Sequence, residues 1–284
     1  MPIVADELLA REFAPTRYTY GARELLLYAL GVGVGFDPTD EAQLPFVYEK
    51  ALRPLPTLPT CLPYVSIRTL DLGIDYAKTL HGEQSTVLHA PLPTAATVIG
   101  STRVSSLFDK GAGKGALVYL TREYREEATG TLLATTLTGL FARGDGGFGG
   151  PAGPAPAPHP IPERAPDCVC ELPTVPQAAL IYRLNGDPNP LHAEPEVARR
   201  AGYDRPILHG LATYGLVGHA LLRAVCGYDE KRVRSIAGRF SAPVFPGETI
   251  RTEFWIDGAV VSLRASVPAR DAVVFNNGRA EIAG

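Results

Sequence analysis

Cysteine is scarce in this chain. Its 284 residues include four, Cys61, Cys168, Cys170 and Cys226. That excludes a disulfide-built scaffold, and the one close pair, Cys168-x-Cys170, lacks the spacing of a metal site. The four read as reduced thiols of a cytosolic protein. Excess positive charge is also missing: 27 Lys and Arg against 30 Asp and Glu leave a net charge of −3. Such a balance gives no electrostatic footprint for nucleic acid, and no basic run suggests an anionic membrane surface. Apolar runs are short. The best, LLLYALGVGVGF from Leu25 to Phe36, falls well below the roughly 20 residues of a membrane span. The opening MPIVADELLAREF carries Asp6 and Glu7 where a signal peptide wants cations. The final EIAG is not a peroxisomal address. A cytoplasmic protein with no nucleic-acid or membrane partner is the expectation.

Proline and glycine are plentiful and clustered. PAGPAPAPHPIPERAP, residues 151–166, has seven prolines in sixteen residues. Such a segment leans to polyproline II and cannot join a sheet interior. It predicts a strap between two bodies, residues 1–150 and 167–284. The preceding GDGGFGG contains G-x-G-x-x-G at Gly144, Gly146 and Gly149. A dinucleotide fingerprint must end a strand and open a helix. Prolines follow instead, so a flexible or packed turn is the reading.

The halves resemble each other faintly. Aligning Tyr28 of LLLYALGVG with Tyr182 of LIYRLNGD sets Gly33 opposite Asp187 and Pro38 opposite His192. Two similar folds with one polar site would result. In the second half, Leu208 to Cys226 is apolar nearly all round, as in a helix buried on most sides. Its small residues Gly210, Ala212, Gly215, Gly218 and Ala220 would let a sheet approach. TEFWI and VVSLRASV flank Asp257-Gly258, a hairpin turn signal. Val261, Leu263, Ala265 and Val267 alternate with Ser262, Arg264 and Ser266, as in a half-buried strand. The first half offers two strand runs within residues 115–141. Strands following a helix, twice, argue an α+β fold in which a sheet wraps a central helix in each half.

The stretch YRLNGDPNPLHAEP, Tyr182 to Pro195, places Asp187 and His192 around a stiff Pro-Asn-Pro turn. An acid and an imidazole on a rigid loop suit general acid–base work. With no obvious nucleophile partner and no third metal ligand in sequence, water activation is the natural chemistry. The residues alone leave a second reading open: Asp187 caps a turn and His192 is a hydrogen-bonded core residue.

This stretch, followed by AGYDRPILHGLATYG, resembles the hydratase-2 signature of the MaoC-like (R)-specific enoyl-CoA hydratases. FVYEK at 46–50, LHGEQ at 80–84, PLP at 91–93, LFDKGAG at 107–113, GGFGG at 146–150 and GRFSAPVFPGET at 238–249 are similar to the two-domain, peroxisomal type. The resemblance spans nearly the whole chain and implies a double hot dog fold. It implies that Asp187 and His192 hold the water that hydrates a trans-2-enoyl-CoA to a (3R)-3-hydroxyacyl-CoA. Asn189 would orient the pair, and the Gly210 N–H would bind the thioester oxygen. His81, Gly82, Lys110 and Phe240 match positions that touch the thioester ligand. Taken alone, Lys110 reads as a solvated turn charge, Phe240 as core and His81 as a strand tie. His209 reads as support for the oxyanion loop. Asn185, where the commoner signature has Ser or Thr, and Glu194, where it has Asp, depart from the pattern.

The resemblance further implies no metal and no separate cofactor, since coenzyme A belongs to the substrate. A homodimer, or a pseudo-dimer within one chain, is implied as well. A carrier-protein dehydratase running the reverse reaction and a non-catalytic acyl-CoA-binding subunit are the alternatives. The first half, with Gly33 and Pro38 at the acid and base places and prolines breaking Leu55 to Pro63, is expected to bind the acyl tail.

Overall fold

A computed structural model describes residues 3–63 and 65–284. Helix α1 (Ala5–Ala10) precedes strand β1 (Thr16–Tyr20), helix α2 (Ala22–Gly31) and the short α3 (Leu44–Val47). Strands β2 (Thr79–Leu88), β3 (Ala96–Asp109), β4 (Ala116–Glu126) and β5 (Leu132–Ala142) complete the first half. The second half repeats the plan with β6 (Cys168–Pro173), α4 (Ala178–Tyr182), α5 (Pro195–Arg200) and α6 (Gly210–Ala224). Strands β7 (Val233–Phe240), β8 (Thr249–Asp257), β9 (Val260–Val267) and β10 (Ala272–Ile282) follow.

All ten strands form one antiparallel sheet in the order β1-β3-β4-β5-β2-β7-β10-β9-β8-β6. Read outward from the β2–β7 joint, the two halves have the same strand order. This is the internal repeat expected from the tyrosine alignment, and the fold class is the α+β double hot dog. Two details differ from expectation. The halves are not separate bodies on a strap: one core cluster draws Tyr28, Phe46 and Leu58 from the first half and Tyr214, Phe254 and Phe275 from the second. And among the described residues only the second half has a long central helix.

Helix α6 is buried at every position from Ala212 to Leu222, which is why its sequence is apolar all round. Its counterpart in the first half is the irregular segment Pro54 to Pro63, also buried throughout. Only a 3-10 turn, Leu58–Cys61, survives there, because Pro56, Pro59 and Pro63 withhold helical donors. Gly215 of α6 packs against Tyr28 and Val32 at the end of α2, and Gly218 packs against this segment. A Cβ at Gly215 would fall 2.4 Å from Val32 Cγ1, and one at Gly218 would fall 2.6 Å from Thr57 Cγ2. His219 fastens the same contact. Its Nδ1 lies 3.2 Å from the Val32 carbonyl and its Nε2 3.2 Å from the Tyr228 hydroxyl. Burial pushes this imidazole down to about 4, so it serves as a neutral tie.

The proline strap lies on the second half-sheet. Arg239 donates to Pro156 O, Asn277 to His159 O and Trp255 Nε1 to Arg164 O. His159 Nε2 meets Ser262 Oγ at 2.8 Å, which explains why Ser262, on the polar side of its strand, is nonetheless buried. The glycine cluster is a packed turn. Asp109 accepts backbone N–H bonds from Gly111, Gly147 and Gly149, folding residues 146–150 over the β3–β4 turn. Backbone N–H bonds stabilise the ionised carboxylate, and Asp109 is held below its ordinary value, Gly147 and Gly111 contributing most. Gly146 has no room for a side chain: a Cβ would sit 2.2 Å from Gly111 O and 2.7 Å from Gly115 O. Gly146→Ala should therefore destabilise the protein by about 1–3 kcal/mol, the usual cost of forced overpacking. Chemical denaturation would read this as a lowered midpoint, and an unchanged midpoint would refute the packing.

Candidate active site

Helix α4 ends at Tyr182 and passes into the 3-10 turn Arg183–Asn185, closed by Gly186 at φ 114°. The Asn189 N–H then donates to Asp187 Oδ1 at 3.1 Å, and Asn189 Oδ1 accepts from the Leu191 N–H at 3.2 Å. Two successive side chain-to-backbone turns thus set the 3-10 turn Pro190–His192. Asn189 works through its grip on this turn, its amide oxygen being spent on the backbone.

His192 is 7% exposed. Its Nδ1 sits 2.8 Å from the Ile207 carbonyl, which assigns the N–H to Nδ1 and leaves the Nε2 lone pair free. Burial lowers its proton affinity, outweighing the Ile207 bond and the Asp187 charge, which pull the other way. Single ligand-capable atoms of Asp187, His192 and His209 lie within 4.8 Å of one another. The rings of His192 and His209, however, stack at 3.7 Å with 26° between their planes. The two rings thus lie face to face rather than edge to edge.

Three other elements close on this loop. Gly210 opens α6, and the N–H groups of Gly210 and Leu211 find no acceptor among the described residues. The ring of Phe240, at the end of β7, lies where a Cβ on Gly210 would touch it at 3.6 Å. His81 meets Phe240 edge-on at 5.0 Å between centroids. Gly82 sits at a bulge in the β2–β5 register between His81 and Glu83, and bulges re-aim neighbouring side chains. His81 Nε2 lies 3.1 Å from both Glu83 O and Gln84 Oε1. Desolvation drives this imidazole down to about 4, with Asp187 among the opposing influences.

Lys110 is not brought against the Asp187 loop. It lies in the turn after β3, three strands from β2 in the sheet, roughly 14 Å at standard strand spacing. Its Nζ sits 5.9 Å from the Phe108 ring. It does share the sheet end that carries His81, since Asp109 pairs Ala116, Ala116 pairs Ala142 and Ala142 pairs Thr79.

A cavity of about 160 Å³ lies beside the loop, lined by Tyr18, Arg23, Glu24, Leu58, Leu62 and Asn185 among others. It lies where the first half's helix is broken, so the prolines were its signal. Cys61 Sγ sits 3.3 Å from the Tyr182 hydroxyl, and burial pushes this thiol up to about 11, an inert form. The stacking of His209 on His192 had no signal in sequence, because sixteen intervening residues separate the two rings.

The model of the MaoC like domain matches residues 158–274, and that of the MFE-2 hydratase 2 N-terminal domain matches residues 18–144. The protein named enoyl-CoA hydratase 2, peroxisomal, of Arabidopsis thaliana is 40% identical over 289 residues, covering 95% of this chain and 93% of the relative. The mouse protein named peroxisomal multifunctional enzyme type 2 is 34% identical, covering 91% of this chain and 36% of that longer protein. The crystal structure of a MaoC-like dehydratase from Phytophthora capsici superposes with a TM-score of 0.88 at 37% identity, covering 98% of each chain. Two of these relatives are named for the peroxisome, which overturns the cytoplasmic placement. All four cysteines are free, but free thiols do not single out the cytosol. Similarity of this extent, along the whole chain and in both halves, makes the protein a member of the MaoC-like enoyl-CoA hydratase 2 family.

Proposed function

We propose that the protein hydrates trans-2-enoyl-CoA to (3R)-3-hydroxyacyl-CoA, reversibly, with a water held between Asp187 and His192. The observation that carries this reading is that ligand-capable atoms of Asp187, His192 and His209 lie within 4.8 Å of one another, with the Gly210 N–H next in the chain at the N-terminus of α6. The water oxygen adds to C3, and one of its protons passes to C2 on the same face. As the C3–O bond forms, the electron pair of the double bond moves toward the thioester oxygen. The Gly210 N–H, at the positive end of α6, meets that growing charge. Asn189 keeps the loop in register, and His81, Gly82 and Phe240 flank the thioester. Coenzyme A enters as part of the substrate, and in this reading the site holds a water rather than a metal ion.

The halves divide the work in this reading. The second, from residue 167, carries the chemistry. The first, to residue 150, takes the acyl tail into the cavity beside Leu58 and Leu62, and the 151–166 segment links them. Lys110, on the sheet end that also bears His81, meets the phosphates of coenzyme A.

Asp187→Asn and His192→Ala should each lower turnover by about 10²–10⁴-fold, the range of general acid–base contributions. Because both act on one water, the double variant should lose less than the product of the single losses. Near-normal turnover in either single variant would remove the assignment. Medium and long enoyl chains should be accepted, and Leu58→Trp, which narrows the cavity, should penalise them more than the four-carbon substrate. Wild-type activity confined to four carbons would contradict the tail path. Lys110→Ala should raise KM for enoyl-CoA more than it lowers kcat, and less so at high salt. A pantetheine thioester, lacking the nucleotide phosphates, should be handled alike by variant and wild type; equal impairment on both substrates would show that Lys110 acts on the fold.

A further inference from the structure

His209 is 1% exposed and takes no step in the proposed reaction. One face of its ring covers His192 at 3.7 Å, and Tyr182 lies 5.0 Å away between centroids. Its Nε2 faces the Asp187 carbonyl at 3.4 Å, while its Nδ1 is buried with no partner. The donating nitrogen is thus Nε2, and Nδ1 carries a lone pair. Protonation would bury an N–H with no acceptor. Burial, with His192 next in weight, pushes His209 down to about 3. The ring is therefore neutral at any working pH. The same residue is the N-cap of α6 and immediately precedes Gly210.

We infer that His209 is a positioning residue: its neutral ring, laid on His192, excludes water from that imidazole and fixes its free Nε2 toward the reacting water. The charged and titratable groups around the stacked pair are Asp187 and Arg183 of the site loop and Tyr182 of α4. The Asp187 side chain favours the protonated form of His192, and its carbonyl that of His209. Arg183 disfavours a charge on His209. The cover supplied by His209 works against the Asp187 charge, which by itself would raise the proton affinity of His192. Removing the ring admits water to one face of His192 and lets Asp187 dominate, so the proton affinity rises.

The role rests on the reading of His192 as the water-holding base, but one readout does not. The NMR titration of the His192 ring should have a higher midpoint in His209→Ala than in wild type. His209→Phe, which keeps a flat uncharged ring, should restore it. In kinetics, His209→Ala should lower kcat by about 10–100-fold, as small misplacements do, with little change in KM. The acid limb of kcat/KM should move to higher pH, since a neutral His192 is lost as pH falls through its pKa. His209→Phe should recover most of the rate. An unmoved His192 midpoint in a folded His209→Ala protein overturns the proposal, as does a Phe variant as impaired as the Ala variant in both readouts. A moved midpoint in a wild-type background without hydratase activity would support the positioning and remove the hydratase reading instead.

Discussion

Strands β2 and β7 pair over five residues, from Glu83 opposite Arg239 to Val87 opposite Ser235. The pairing joins two half-sheets edge to edge, and the site is built around one end of it. His81 and the bulge at Gly82 lie just before the paired stretch on β2, and Phe240 follows it on β7. The Glu83–Arg239 contact closes that end with a 2.8 Å ion pair, and Tyr119 donates a further bond to Glu83. Tyr214 of α6 reaches the same joint, its hydroxyl bridging Thr86 Oγ1 and the Ile236 carbonyl at 2.9 Å each. The helix that presents Gly210 is thereby registered against the strands that present His81 and Phe240. A slip of the joint by one residue would turn every side chain along it to the opposite face.

The same joint explains why one half has polar groups and the other has space. Tyr28 and Tyr182 occupy equivalent places and pack at 6.3 Å between centroids. From each, the chain turns toward α6. In the second half it can extend into the rigid Asp187 loop. In the first, Gly33 has φ 78° and lies where a Cβ would come 3.1 Å from Leu216 Cδ2. A side chain there would be strained and would press on α6. The acid's place is thus closed in the first copy by the helix of the second, and the proline-broken segment lies beside an opening instead. Asymmetry of function follows from a single central helix.

Much of this was legible in the sequence, for physical reasons that vary with the residue. The α6 segment announced itself because a helix buried on all sides has no polar face. The Asp257-Gly258 hairpin and the alternation in β9 were readable because a period of two has few other causes. The repeat was detectable through two tyrosines that share one environment. What failed were statements about what faces what. Gly215 and Gly218 signalled a close neighbour but not that it would be Val32 and Thr57, more than 160 residues away in the chain. The prolines of the strap signalled an extended chain, but not that it would lie on the sheet, where Ser262 sits beneath His159. The signature motif pointed to Asp187 and His192, yet the stack of His209 on His192 depends on a tertiary approach that no local pattern encodes.

The electrostatics around the loop give the arrangement its direction. Burial drives His81, His192 and His209 below the ordinary range of histidine, so near neutral pH none of the three supplies a cation to Asp187. In the proposed reaction, a water between the Asp187 carboxylate and the Nε2 lone pair would face two acceptors. It donates a hydrogen bond to each, and its own lone pairs point outward, toward the space bounded by Gly210 and Phe240. Were His192 cationic, its Nε2–H would donate to that water and occupy the electron pair needed to attack C3. Enclosing the imidazoles rather than exposing them therefore decides which atom of the water is reactive. In the same proposal the helix N–H at Gly210 would lie on the receiving side, where negative charge arrives. Acceptors on one side and a donor on the other set up a dipolar field across the reacting bond, and the burial that keeps the imidazoles neutral also limits its screening by solvent.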